Sequence, residues 1–426
     1  MSEQFDNDYA EHHAAPKLID LAEHNAMPKP SVAAAPFAPA PVAPVAAAPV
    51  APVAAAPVAV VPSTQPNSKV SIERYLQQTV ELTASDLHVK AGAPPTVRQG
   101  GHLKTLAEDK LVPAECDEMA MALLGDKELL TLNEYGEVDF AYTQPGIGRF
   151  RVNVHRHRGS LGIAARRILD NVPEFGDLLL PPAVEKLASE HRGLLLVTGP
   201  TSSGKTTTCG AIIRHINKTR ACHIVTIEDP IEILHDDEQS VVTQREVGDD
   251  TKSFDRALRA AMRQDPDVIF VGEIRDLETM QAALQAAETG HMVIATLHTT
   301  DAVETINRIV DFFPPFQHNQ VRSALAASLL GVVTQRLLPK IGGGRVPAIE
   351  IMLMTGRIKD CVLDADKTLE IHDLIAESNY YGMQTFDQSL VGLYKDGHAT
   401  LEDASAAAMS PHDFQLVLKK AGVLDT

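Results

Sequence analysis

Residues 193 to 212, GLLLVTGPTSSGKTTTCGAI, set an apolar run directly before a glycine-bearing turn and a helix-compatible stretch. That order constrains the chain more than any other feature. A strand entering a tight turn and leaving as a helix is the unit of a layered α/β sheet, and the turn has phosphate-binding chemistry. Gly199 and Gly204 let the backbone curl with its N–H groups inward, and the next helix presents its positive N-terminus. Lys205 reaches outer phosphates, and Thr206 offers a hydroxyl to Mg²⁺. The loop Gly199, Pro200, Thr201, Ser202, Ser203, Gly204, Lys205, Thr206 and Thr207 is read as the binding site of a nucleoside triphosphate.

Around it the pattern repeats. LLLV, HIVTIED, DVIFVGE and HMVIATL are near-continuous apolar runs, separated by the helical patterns SFDRALRAAMRQ and LETMQAALQAAET. Strands of that kind belong in a parallel sheet covered on both faces. The expectation is a doubly wound nucleotide-binding core over 183–350, with a helical C-terminal region over 351–426 carrying KTLEIHDLIAES and TFDQSLVGLYKDG. Before it, 69–170 reads as a second globular domain opening on the helix SIERYLQQTVEL, and 171–182 as a linker punctuated by prolines. The stretch 1–68 alternates small apolar residues with prolines and reads as a disordered, extended tether. Ahead of its proline-rich part, a short helix around Leu18 and Leu21 is either a docking peptide or an inert tail.

A formal net charge of −18 argues against broad attraction to nucleic acid or an anionic membrane surface. No apolar run approaches the ~20 residues of a membrane span, and no secretory leader is recognisable, so a cytosolic protein is expected. Cys116, Cys209, Cys222 and Cys361 are scattered and suggest neither a zinc site nor a disulfide framework.

Three further constellations carry chemistry. Glu273 closes the apolar strand DVIFVGE, where a carboxylate beside a phosphate-binding loop holds Mg²⁺ or its water shell. TIEDPIEIL supplies Glu228, Asp229 and Glu232; such crowding is tolerated best where a cation or water network compensates it, and one of the three can orient or deprotonate an attacking water. His291 and His298 bracket the strand MVIATL but face opposite sides of an ideal strand, and either can be a structural group. His298 stands at the strand exit, where it can sense a γ-phosphate. In the domain before the core, Arg149 and Arg151 alternate with Phe150, Val152 and Val154, leaving the arginines on a solvated sheet face or aimed at a neighbour's phosphate.

Taken together, GPTSSGKTT, EDPIE, QREVGDDTKSFDRALRAAMRQDPDVIFVGEIRD and ETGHMVIATLHTTDA resemble the secretion-ATPase superfamily, and most closely its PilT-type pilus retraction ATPases. The resemblance runs from about Val70 to the C-terminus. It implies a homohexameric ATPase whose subunits join a PAS-like α+β N-terminal domain to a RecA-like core, with ATP in the cleft between them. It implies work at the inner face of the cytoplasmic membrane on a PilC-type platform protein, with pilin depolymerisation and twitching motility as the outcome and nucleic acid no partner. Carried over by motif, Lys205 and Thr206 bind phosphate and Mg²⁺, Glu232 is the general base and Glu273 supports the metal. Glu228, Asp229, His291, His298, Arg149 and Arg151 join the ATP site on the same basis.

The chain departs from the retraction branch at Arg357 to Asp364, RIKDCVLD, where the family carries a segment close to AIRNLIRE. That leaves a PilU-like accessory role open, with a paralogous retraction ATPase as partner. The extension and secretion branch, marked by a tetracysteine insertion, and a nucleic-acid translocase are the other readings.

Overall fold

The computed structural model describes residues 71–106, 109–168, 173–420 and 422–423. The expected tether at 1–68, its short helix and part of the expected linker lie outside these residues. Helix α1 (Ile72–Glu81) starts where the Ser71 hydroxyl accepts the Arg74 amide, and buries Ile72, Tyr75 and Leu76. Strands β1 (Asp86–Val89), β2 (Thr96–Gln99) and β3 (His102–Thr105) follow, then helices α2 (Pro113–Leu123) and α3 (Asp126–Tyr135). Strands β4 (Glu137–Gln144), β5 (Gly148–His157) and β6 (Ser160–Arg167) complete a six-stranded antiparallel sheet, ordered β3-β2-β1-β6-β5-β4. The alternation in β5 is realised: Phe150, Val152 and Val154 are each 0% exposed. Each contributes on the order of 1.5–3 kcal/mol by leaving water.

The second sheet begins after helix α4 (Pro182–Ala188) with β7 (Gly193–Thr198), which feeds α5 (Lys205–Thr219). Then come β8 (His223–Glu228), β9 (Val241–Glu246), α6 (Phe254–Ala261), β10 (Val268–Val271), α7 (Leu277–Glu288) and β11 (Met292–Leu297). Helices α8 (Ala302–Asp311) and α9 (His318–Ser328) lead to the long hairpin β12 (Leu329–Pro339) and β13 (Arg345–Leu353). The order is β13-β12-β7-β11-β10-β8-β9, parallel except for β12 with β13. This is an α/β fold in which β7 lies between β11 and β12, neither its neighbour in sequence. Its carboxyl end is therefore where a crevice opens in a sheet of this kind.

Two features go beyond the sequence reading. Strand β9 adds an edge outside β8, and the sheet runs past position 350 because Ile351 and Met352 pair with Val333 and Val332 of β12. Helices α10 (Gly356–Leu363), α11 (Ile371–Glu377), α12 (Phe386–Lys395), α13 (Leu401–Ala407) and α14 (Pro411–Lys420) close the chain. The divergent segment RIKDCVLD lies mostly on α10, with Ile358, Cys361 and Val362 buried and Arg357, Lys359 and Asp360 exposed. The α10 C-terminus is tied down by the Arg322 guanidinium, which donates to the Val362 carbonyl at 3.0 Å and to the Thr368 hydroxyl at 3.1 Å. Among the described residues no helix is long and apolar enough to cross a membrane.

Candidate functional site

The site starts where the buried run of β7 ends. The Thr198 hydroxyl meets that of Thr334 on β12 at 2.8 Å, and the chain turns sharply at Gly199, φ +143°. A Cβ at Gly199 would collide with the Gln335 carbonyl, and one at Gly204 (φ +91°) would lie 2.9 Å from the Gln335 amide nitrogen. The loop is thus wedged against β12, and Gln335 clamps it by donating to the Ser203 carbonyl at 2.8 Å. Ser203 Oγ is buried and has no partner among the described residues. Helix α5 opens at Lys205 with no acidic residue in its first turn, leaving its positive end for an anion.

The polar side chains then follow the strand order across the sheet. Lys205, after β7, places Nζ 2.8 Å from the Gly199 carbonyl, 3.1 Å from that of Pro200 and 3.4 Å from Nδ1 of His298, which follows β11. His298 Nε2 is 2.9 Å from Glu273, just beyond β10, and the other Glu273 oxygen accepts from Arg275 at 2.6 Å. Arg275 approaches Asp229, after β8, at 3.9 Å. Burial pushes the Lys205 ammonium below its usual pKa, and the Glu273 carboxylate opposes that shift. Glu228 is 6% exposed, and burial raises its carboxyl to about 7 against the hydroxyl of Thr226 (2.7 Å) and the amide of Gln244 (3.1 Å), which donate to it.

Two cavities meet at the loop. One of about 190 Å³ is lined by Lys205, Thr206, Glu228, Glu232, Glu273 and His298. The other, about 660 Å³, extends from the Thr201–Thr208 stretch to Leu180, Leu337, Val346 and Pro347. Exposed Glu232 borders both.

His291 does not join them. It precedes β11, at the far end of the sheet, where Nδ1 lies 2.9 Å from the Ala286 carbonyl and its own carbonyl accepts the Gly193 amide. The six-residue strand separates it from His298 by roughly 20 Å at ~3.3 Å per residue. Within the chain, His298 and not His291 borders a cavity at the loop. Arg149 and Arg151 line neither cavity: Arg149 pairs with Glu246 at the end of β9 at 3.1 Å, and Arg151 is exposed. Gln335 and Arg275 also belong to the site: Arg275 lies two positions after Glu273 in GEIRD, whereas Gln335 reaches the loop through the pairing of β12 with β7, which the sequence alone does not reveal.

A glycine-bearing turn from a central parallel strand into a helix, flanked by a lysine, a helix-borne threonine hydroxyl and an acidic strand end, defines a P-loop nucleotide-binding protein. Residues 180–344 match the family model described as type II/IV secretion system protein. The type IV pilus retraction ATPase PilT of Pseudomonas aeruginosa is 42% identical over 345 residues, 81% of this chain and 100% of that protein. The type IV pilus ATPase PilU of the same organism is 40% identical, over 82% of this chain and 92% of that protein. A crystal structure of the pilus retraction motor PilT with bound ADP superposes with a TM-score of 0.76 at 48% identity, covering 81% of this chain and 99% of that one. The chain belongs to the secretion-ATPase family, in its PilT-type pilus retraction branch.

Proposed function

We propose that this chain is an ATP-hydrolysing subunit of a hexameric motor that retracts type IV pili. The observation that carries the reading is the polar chain Lys205–His298–Glu273–Arg275, laid across the carboxyl ends of β7, β11 and β10 beside the P-loop. Its members join the site residues that the retraction branch implies.

In this reading the six-stranded sheet is the PAS-like domain, the seven-stranded sheet the RecA-like core, and 171–182 the linker between them. The larger cavity takes the base against Leu337, Val346 and Pro347, and the smaller one takes the outer phosphates. Lys205 exchanges the two loop carbonyls for phosphate oxygens, and the backbone N–H groups from Thr201 to Thr207 cradle the rest. The Ser203 hydroxyl, buried without a partner among the described residues, is a further donor in this reading. The donors facing the outer phosphates, the Thr206 hydroxyl and the Glu273 carboxylate, are hard oxygens of the kind Mg²⁺ takes while keeping several waters. That ion, when bound, supplies neutralising charge. Exposed Glu232 draws the proton from the attacking water, and His298 joins the phosphate-facing lysine to Glu273. Arg149 and Arg151 serve a nucleotide across a domain or subunit boundary, since they line neither cavity at their own loop.

Hydrolysis then drives rotation of a PilC-type platform from the cytoplasmic face of the inner membrane. The test is ATP turnover by the purified full chain with and without single-stranded nucleic acid. Turnover lost in Glu232→Ala and indifferent to nucleic acid supports the motor; strong stimulation by single strands would sink it in favour of a translocase. An accessory, PilU-like role is the second reading, favoured by the departure at RIKDCVLD and by the 40% identity with PilU. It predicts that retraction survives loss of this chain while a paralogous ATPase is present.

A further inference from the structure

Glu246 is 6% exposed, and a single one of its oxygens, Oε2, accepts two hydrogen bonds. One comes from the Arg149 guanidinium at 3.1 Å, on strand β5 of the first sheet. The other comes from the Ile231 backbone amide at 3.3 Å, the residue directly before Glu232. The Arg149 side chain is 23% exposed and reaches Glu246 through one terminal guanidinium nitrogen, while Ile231 is 3% exposed, so its amide has little access to water. Glu246 is itself fixed. It ends β9 in register with Glu228, its amide donates to the Asp250 carboxylate at 2.8 Å, and its carbonyl accepts the Asp250 and Thr251 amides. Nearby, Lys127 on α3 reaches Asp249 at 3.0 Å, so the same turn holds the first sheet's domain at a second point. Burial raises the Glu246 carboxyl, and the arginine beside it works against that rise.

We propose that Glu246 is a positioning residue that, through the Ile231 amide, holds the loop carrying Glu232 in place and with the same oxygen retains Arg149 on the arginine strand of the first domain. This rests on the reading of Glu232 as the base. The geometry makes the two holds separable. Glu246→Gln keeps an oxygen for the Ile231 amide but gives up the charge that retains Arg149, whereas Glu246→Ala removes both.

The test combines amide hydrogen exchange at Ile231 in the full chain without nucleotide with steady-state ATP kinetics on the same variants. Glu246→Ala should speed Ile231 exchange at least about 10-fold and lower kcat about 10- to 100-fold with little change in KM, the scale of a slightly misplaced catalytic group. Glu246→Gln should keep exchange near that of the wild type, restore most of kcat and lower KM as Arg149 becomes free for phosphate. Arg149→Ala combined with Glu246→Ala should cost less than the product of the single losses. Ile231 exchange unchanged in Glu246→Ala, or kcat within about twofold of wild type in that variant, would overturn the proposal. Equal loss in the Gln and Ala variants would reduce Glu246 to a packing residue and overturn it too. A wild type that protects Ile231 through Glu246 yet hydrolyses no ATP would instead overturn the functional reading and leave the tie standing.

Discussion

Glu228 is the residue whose environment makes the sharpest demand. Its carboxyl, raised to about 7 by burial, binds a proton in the folded protein over a range where the unfolded chain has released it. Stability from this group is therefore fully present below the unfolded value of 4.5 and is lost as pH rises through about 7. Glu228→Gln, which keeps an acceptor for Thr226 and Gln244, should raise the melting temperature at pH 8 by several degrees, on the order of a few kcal/mol, and change it little at pH 4. Equal effects at both pH values would show that the carboxyl is not held neutral. At the same scale, Lys205→Ala should weaken nucleotide binding at least about 100-fold without unfolding the chain, since Nζ otherwise satisfies only loop carbonyls and a histidine. Titration with a fluorescent ATP analogue measures it.

The phosphate loop depends on an element that the sequence does not mark as its partner. Gly199→Ala would drive its Cβ into the Gln335 carbonyl on β12 at a φ that side chains rarely adopt, so a loss of several kcal/mol together with nucleotide binding is expected. Thermal denaturation followed by ATP titration checks both. Four strands of the second sheet were legible as apolar runs, because Leu194 to Val197 or Val268 to Val271 need no tertiary context to read as buried strands. Strand β9, VVTQRE, was not, for its polar residues meet only one neighbour at the sheet edge. Nor was β12, whose bulge between Leu329 and Gly331 and whose place beside β7 are settled by packing. The same limit explains the candidate site. Lys205, Glu273 and His298 stand at strand exits, which periodicity locates, whereas His291 stands at a strand entrance, at the other end of the sheet. The bond from the Ile231 amide to Glu246 depends on the parallel pairing of β8 with β9, which sets their carboxyl ends side by side.

For the whole molecule, the question is whether Arg149 and Arg151, which line neither cavity, act on a nucleotide held elsewhere. If they serve a nucleotide beyond their own loop, Arg149→Ala with Arg151→Ala should lower kcat by ~10³ or more while ATP still binds. Mixing that double variant with Glu232→Ala should then restore turnover in the assemblies where an intact arginine pair meets an intact base. Failure of any mixture to recover would place the arginines and the base in one subunit's site. The departure from the family segment touches both faces of α10: Arg357 and Asp360 change the exposed face, and Cys361 and Val362 stand at buried positions where the segment carries Leu and Ile. The central claim, a motor that withdraws pili, is tested most directly by deleting the gene in its own cell, with any paralogous retraction ATPase also removed, and counting surface pili while scoring spreading. Restoring this chain alone should return hyperpiliated, non-spreading cells to normal piliation and movement. Bald cells on deletion would contradict the account and assign the chain to pilus extension.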